Sequence, residues 1–434
     1  MKFDFSKPVL QKPRLPEPLK AVLRKFSTPA DSAPLAFLPD ADLSKEELID
    51  RVKIPVNNAT MRLKADNEVR ENAQFLARQE RWDSLSERIR MADQTRDTTL
   101  QGTPVVDLML FGARADVVSA AEHALLHGRP AKGSNFFDGI EDFEMVLSEN
   151  QDDYAIALIV AHMHIDIGWA WRGTVPEADL NDANREAFLA HFSRAGEILD
   201  GFCAHELGSP ALTAARCALL PGAEHPGDRI ADDFEDLIDL DPDNPRHMRA
   251  LGTYMLPQWY GDLPALDLQA RRTAARTFDL WGAGAYTWVW FDAILADPNG
   301  LEHIDIDYFV DGVHDILERQ PDQATANLLA AQIYCAWQAA RQRYRDSGNG
   351  SAQLASLRAA FETVIHKSLR EVHPLIWGHA EMGFDNGVRS ISLERLAQKG
   401  RAFAMNAVAQ PFMKGLEQGL TIHFGPDGIT EIQP

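Results

Sequence analysis

The stretch AHMHIDIGWAW, Ala161 to Trp171, sets His162, His164 and Asp166 at alternate positions. Imidazole nitrogens and a carboxylate are the donors that zinc and iron take. What they can do depends on the backbone that carries them. On a strand all three point to one face and can converge on a cation. On a helix each residue turns by about 100°, so His162 and Asp166 meet as an i, i+4 pair while His164 faces away. The run Asp152–Trp171 is too long for an ordinary strand and suits a core helix of about five turns. Asp152 or Asp153 can cap its start, and Gly173 with Pro176 closes it. Ile156, Ile159, Val160, Met163, Ile167 and Trp171 give it an apolar face. The expectation is a structural hydrogen-bonded pair, His162–Asp166, and no metal: the pair offers two ligands where a catalytic zinc normally takes three from protein.

Other residue types that carry chemistry are scattered. His366, His373 and His379 have no metal-binding spacing. Asp239, Asp241 and Asp243 imitate the opening of a calcium loop, but Asn244 stands where glycine is needed and Ala250 where glutamate is needed. The phosphate-binding glycine signatures and the serine-hydrolase elbow do not occur, so no catalytic residue and no cofactor is assigned. The densest concentration of binding-type side chains lies between Gly252 and Ile294. Trp259 and Tyr260 precede Arg271, Arg272 and Arg276, of which the last two share a helix face. Aromatic and arginine side chains dominate interface hot spots. These five are the candidate partner-binding residues, set against the plainer reading of the region as packed core.

These groups must be positioned by helices. From about residue 65 the chain is a succession of helical patterns separated by short Pro/Gly/Asp/Asn breaks. Helices are expected near 72–93, 114–128, 152–171, 183–204, 209–219, 228–239, 245–257, 264–281, 285–296, 305–319, 322–345, 352–370 and 390–417. DLSKEELIDRV adds a short one near Ser44–Val52, with Ser44 and Glu47 spaced as a capping box. At the other end, LTIHFGPDGITEIQ reads as a hairpin turning at Pro426-Asp427-Gly428. LIDLDPDNPRHMRALGTYML places a Pro-containing turn before a helix carrying Leu251, Gly252 and Tyr254. In this it resembles the tetratricopeptide class of helical repeats, although Tyr254 comes one residue early and the later breaks keep no 34-residue period. The resemblance implies antiparallel helix pairs around a concave binding surface. The expected fold is therefore all-α and tetratricopeptide-like. Its parts are an extended Pro-rich arm over 1–60, a helical domain over 61–418 and a hairpin tail over 419–434.

Composition bounds the function. The 434 residues carry a formal net charge of −21, so the body should repel nucleic acid and anionic membrane. Residues 1–25 run against that balance, with seven Lys/Arg against Asp4 and Glu17, and with Pro8, Pro13, Pro16 and Pro18. Such a stretch suits an extended arm, lying on its own acidic surface or clasping a partner. No apolar run reaches membrane-spanning length without polar interruption. Three cysteines in apolar contexts read as reduced thiols, which suits the cytoplasm. The expected function is a protein- or peptide-binding scaffold, or self-association through residues 1–25. The alternatives are an enzyme acting on a small anionic substrate near His162, Asp166 and the Arg/Trp cluster, or a structural subunit of a larger assembly.

Overall fold

The computed structural model describes residues 51–433, apart from 59, 100–101, 127–129, 131–135, 176, 298, 346–350 and 383–392. The basic Pro-rich stretch lies outside these residues, as does nearly all of the helix expected at Ser44–Val52; Val52 itself is in a strand.

The chain is built almost wholly of helices, so the all-α expectation holds. In order they are α1 (Thr60–Arg78), α2 (Trp82–Thr95), α3 (Val105–Leu125), α4 (Phe136–Glu149), α5 (Tyr154–Arg172), α6 (Asp182–Leu199), α7 (Ala204–Leu207), α8 (Pro210–Cys217), α9 (Ile230–Leu240) and α10 (Pro245–Tyr254). Then follow α11 (Leu263–Arg276), α12 (Phe278–Trp281), α13 (Gly284–Ala296), α14 (Gly300–His303), α15 (Ile306–Arg319), α16 (Gln323–Arg343), α17 (Ser351–Lys367), α18 (Pro374–Glu381), α19 (Leu393–Ala409) and α20 (Met413–Glu417). The helix starts follow local chemistry. Asn244 accepts from the Arg246 amide, with Pro245 at the first helical position, where its missing N–H costs nothing. Asp262, Asp305 and Asp322 cap α11, α15 and α16 in the same way. Between α12 and α13 the chain reverses at Gly282, whose φ of +56° a residue with a Cβ adopts only under strain. The helix expected over 264–281 is therefore two pieces, broken at Thr277.

Packing is not simply between sequence neighbours. α5 lies against α6, and α18 against α19, but α3 packs on α1 and α10 on α13, past intervening helices. Gly252 permits the last of these, because a Cβ there would stand 1.9 Å from the Val289 carbonyl oxygen. Buried apolar side chains form two clusters, one drawn from Ala73–Ala215 and the other from Cys217–Phe424 together with Val52. α5 is the axis of the first: Ile156, Ile159, Val160, Met163, Ile167 and Trp171 are all buried. Each large aliphatic side chain buried there contributes roughly 1.5–3 kcal/mol. Of the described helices, α5 alone is long and apolar enough to cross a membrane, and most of it is enclosed by its neighbours.

A small sheet closes the second cluster. β2 (Thr421–Gly425) and β3 (Gly428–Ile432) pair antiparallel, and β1 (Val52–Lys53) joins β2 in parallel, with Val52 opposite Ile422. Ile422 and Phe424 point inward and His423 outward, the period of a half-buried strand. Arg51 reinforces the join by donating to the Leu416 carbonyl at 2.7 Å.

Candidate functional site

The histidine motif lies on a helix, and its three polar groups disperse. Asp153 caps α5 by accepting from the Ala155 amide, and Gly173 ends it with φ of +64°. Asp166 does not bond His162: it accepts from Arg114 Nε on α3 at 2.7 Å, which corrects the expected pair. A guanidinium from the neighbouring helix competes better than an imidazole, being always charged. His162 is partly buried and lies in the field of Arg114, and burial together with that charge pushes its pKa down to about 3.

His164 carries the stronger network. Its Nε2 meets Glu144 of α4 at 2.9 Å, and its Nδ1 faces His191 Nδ1 of α6 at 2.8 Å. Glu144 also accepts two bonds from Arg194, each 2.8 Å. Burial alone would raise the Glu144 carboxyl, but Arg194 and His164 outweigh it and hold the pKa at about 2. Burial, with the charge of His164, lowers His191 to about 3. This is a polar clamp joining three helices. Among the described residues no group of three His, Cys, Asp or Glu is placed to hold a metal ion.

The imitation calcium loop is dispersed in the same manner. Asp239 pairs with Arg276, Asp241 with His247 at 3.0 Å, and Asp243 with Arg319. The five residues expected to bind a partner are also divided. Arg271 donates to Asp267 at 2.8 Å and Asp305 at 3.1 Å, with its guanidinium over the rings of Tyr286 and Tyr308. Arg272 and Arg276 share Glu235 of α9. Trp259 and Tyr260 sit on the turn after α10, where Tyr260 packs beside Tyr254 and Trp259 is 45% exposed. Each arginine already holds a carboxylate of its own chain.

A large concavity lies elsewhere. A cleft of about 1110 Å³ opens where the two core clusters meet, walled by parts of α2, α3, α8, α9, α10, α16 and α18. That is at or above the size of ordinary small-ligand sites, about 300–1,000 Å³. Its walls include Pro104, Pro210, Ala214, Leu237, Tyr254 and Trp288. Six aspartates and three arginines add charge. Asp93, 1% exposed, is consumed internally by Ser209, the Ala211 amide and Tyr154. Arg96 donates to the carbonyls of Asp93, Gln94, Gly208 and Leu240, tying the ends of α2, α7 and α9 at the base of the cleft. Arg249 is held bidentate by Asp292 at 2.8 and 2.9 Å.

Asp107 and Arg246 are different. Both side chains are exposed to solvent in the cleft, yet the walls crowd them. Burial pushes Asp107 above the usual carboxylate range and Arg246 below the usual guanidinium range, only partly offset by their mutual attraction. Arg246 reaches Thr103 Oγ1 at 3.2 Å, on the loop that forms the cleft rim. Trp288, 2% exposed, lines the cleft, but its indole N–H is enclosed and finds no acceptor among the described residues.

No family model matches this chain, and neither a curated protein nor a solved structure is similar to it. The likeness to tetratricopeptide units rests on Leu251, Gly252 and Tyr254 themselves. Sequence reasoning missed the cleft because its walls come from segments as distant as Ala92 and Ile376. One signal was legible: the Asp-Pro-Asp-Asn-Pro turn, singled out as a helix start, supplies Asp241, Asp243, Asn244 and Pro245 to the lining.

Proposed function

We propose that this protein is a cytoplasmic binding scaffold of the helical-repeat type, and that the cleft between its two cores takes a segment of a protein partner. The observation that carries this reading is the cleft: about 1110 Å³, apolar in its walls, with the accessible and incompletely compensated charges of Asp107 and Arg246 inside. Apolar concavities with a few convergent polar groups are where ligands bind. The expected patch of Trp259, Tyr260, Arg271, Arg272 and Arg276 is a weaker candidate, since its arginines are neutralised within the chain. The three cysteines are free thiols, which supports a reducing compartment.

The test is capture of partners from the native host by the full chain, by Asp107→Arg and by Arg272→Glu. Asp107→Arg is expected to lose a defined partner that Arg272→Glu retains. Loss with Arg272→Glu alone would move the site to the exposed arginine face, and unchanged capture by both would reject each location.

A further inference from the structure

The cleft is acidic on balance, and its spare carboxylates sit at one end. The chain leaves α2 at Asp97 and enters α3 just before Asp107, with a loop between them closed by the Thr98–Pro104 bridge and the bond from the Val105 amide to the Asp97 carbonyl. Both acids are exposed and line the cleft, and neither side chain has a hydrogen bond or ion pair among the described residues. A carboxylate crowded by protein and only partly compensated, as Asp107 is by Arg246, favours a further cationic group. The walls add a second preference. Proline-rich extended chain binds where aromatic and aliphatic surface accepts its rings and a Trp or Tyr donor meets its carbonyls. Tyr254, Leu237, Pro104 and Pro210 supply such a surface. The ligand is then a basic, proline-containing extended peptide.

This chain contains such a peptide. KPVLQKPRLPEPLKAVLRK, residues 7–25, holds Lys7, Lys12, Arg14, Lys20, Arg24 and Lys25 with four prolines and one acid, Glu17. Its tether arrives beside the cleft. Val56 pairs with Val372, the Val372 amide donates to the Pro55 carbonyl at 2.8 Å, and the next residue, His373, lines the cleft wall. From Lys25 to Val56 is 31 residues, a span of up to about 100 Å when extended, so reach sets no limit. Attachment within one chain gives an effective concentration on the order of millimolar, favouring the chain's own segment over a second copy's.

We propose that residues 7–25 occupy this cleft in the same chain, their lysines and arginines at Asp97 and Asp107 and their prolines against the apolar wall around Tyr254 and Leu237. The segment is then a resident stand-in that a partner's basic, proline-containing peptide must displace. This rests on the cleft being the binding site.

The test is zero-length carbodiimide coupling of the full chain, followed by peptide mass spectrometry. Amide bonds joining Lys7, Lys12, Lys20 or Lys25 to Asp97 or Asp107 are expected to dominate the products of those lysines. In a mixture of light and ¹⁵N-labelled protein these links should fall within chains of one isotope. Links spread over carboxylates away from the cleft overturn the proposal, and mixed-isotope links overturn the same-chain assignment in favour of a second copy. In Ala214→Trp, which fills the cleft wall, the Asp107 links should be lost; their persistence counts against the proposal. Failure here leaves the scaffold reading standing if Asp107→Arg still loses its partner, so the two fail separately.

Discussion

His162 and His191 are both held as neutral imidazoles down to about pH 3, against 6.5 for the free side chain. A folded state that refuses a proton the unfolded state accepts loses stability as pH falls from 6.5 toward 3. Glu144 acts in the adjoining window. Its pKa of about 2, against 4.5, means its contribution is complete above 4.5 and disappears as pH falls toward 2. Acid should therefore unfold this protein progressively, starting above the ordinary carboxylate range. In urea titrations at pH 7, 5.5 and 4, His191→Asn should show a shallower decline in midpoint than the wild type. Equal declines would mean that His191 is not a source of the acid sensitivity.

Helix contacts show where glycine is indispensable. Gly252→Ala should cost about 1–3 kcal/mol, because α10 must move off α13 or distort to admit the methyl group. Gly196→Ala, in α6 with its nearest neighbour 3.8 Å from the new carbon, should be neutral or stabilise by up to about 1 kcal/mol. Urea midpoints of the two variants check the contrast, and similar values would mean that α10 and α13 are not in tight contact. At this scale much was legible in the sequence. Helix starts at Asp153, Asn244 and Asp305 follow from the side chain at the cap, and the α5 core face from spacing alone. Partner choice was not. His164 and Asp166 pair with residues on other helices, 20 to 52 positions away, so their contacts depend on how helices pack. The strand at Val52–Lys53 was equally hidden, since two residues carry no period and pair only with a segment near the other end of the fold.

The two cores meet along the cleft, and Arg96 ties them. Its guanidinium bonds carbonyls at the ends of α2 and α7 on one side and α9 on the other, with Arg96 itself in the left-handed region at φ of 54°. Arg96→Ala leaves those carbonyls to water and should lower stability by about 1–3 kcal/mol. It should also loosen the coupling between halves. Tryptophan fluorescence reports chiefly on the second core, where Trp281, Trp288, Trp290, Trp337 and Trp377 are buried. In the variant its denaturation curve should part from that of far-ultraviolet circular dichroism, whereas a single coincident transition would show that the halves unfold together without this residue.

The pairing of Val52 with Ile422 carries an implication for synthesis on the ribosome. One partner emerges some 370 residues before the other exists, and closing so long a loop is among the slowest steps available to a folding chain. Until translation passes Gly425, Val52 has no mate, so an interrupted product would display this loose seam to proteases. The small sheet thus acts as a latch that shuts only once β2 has been made.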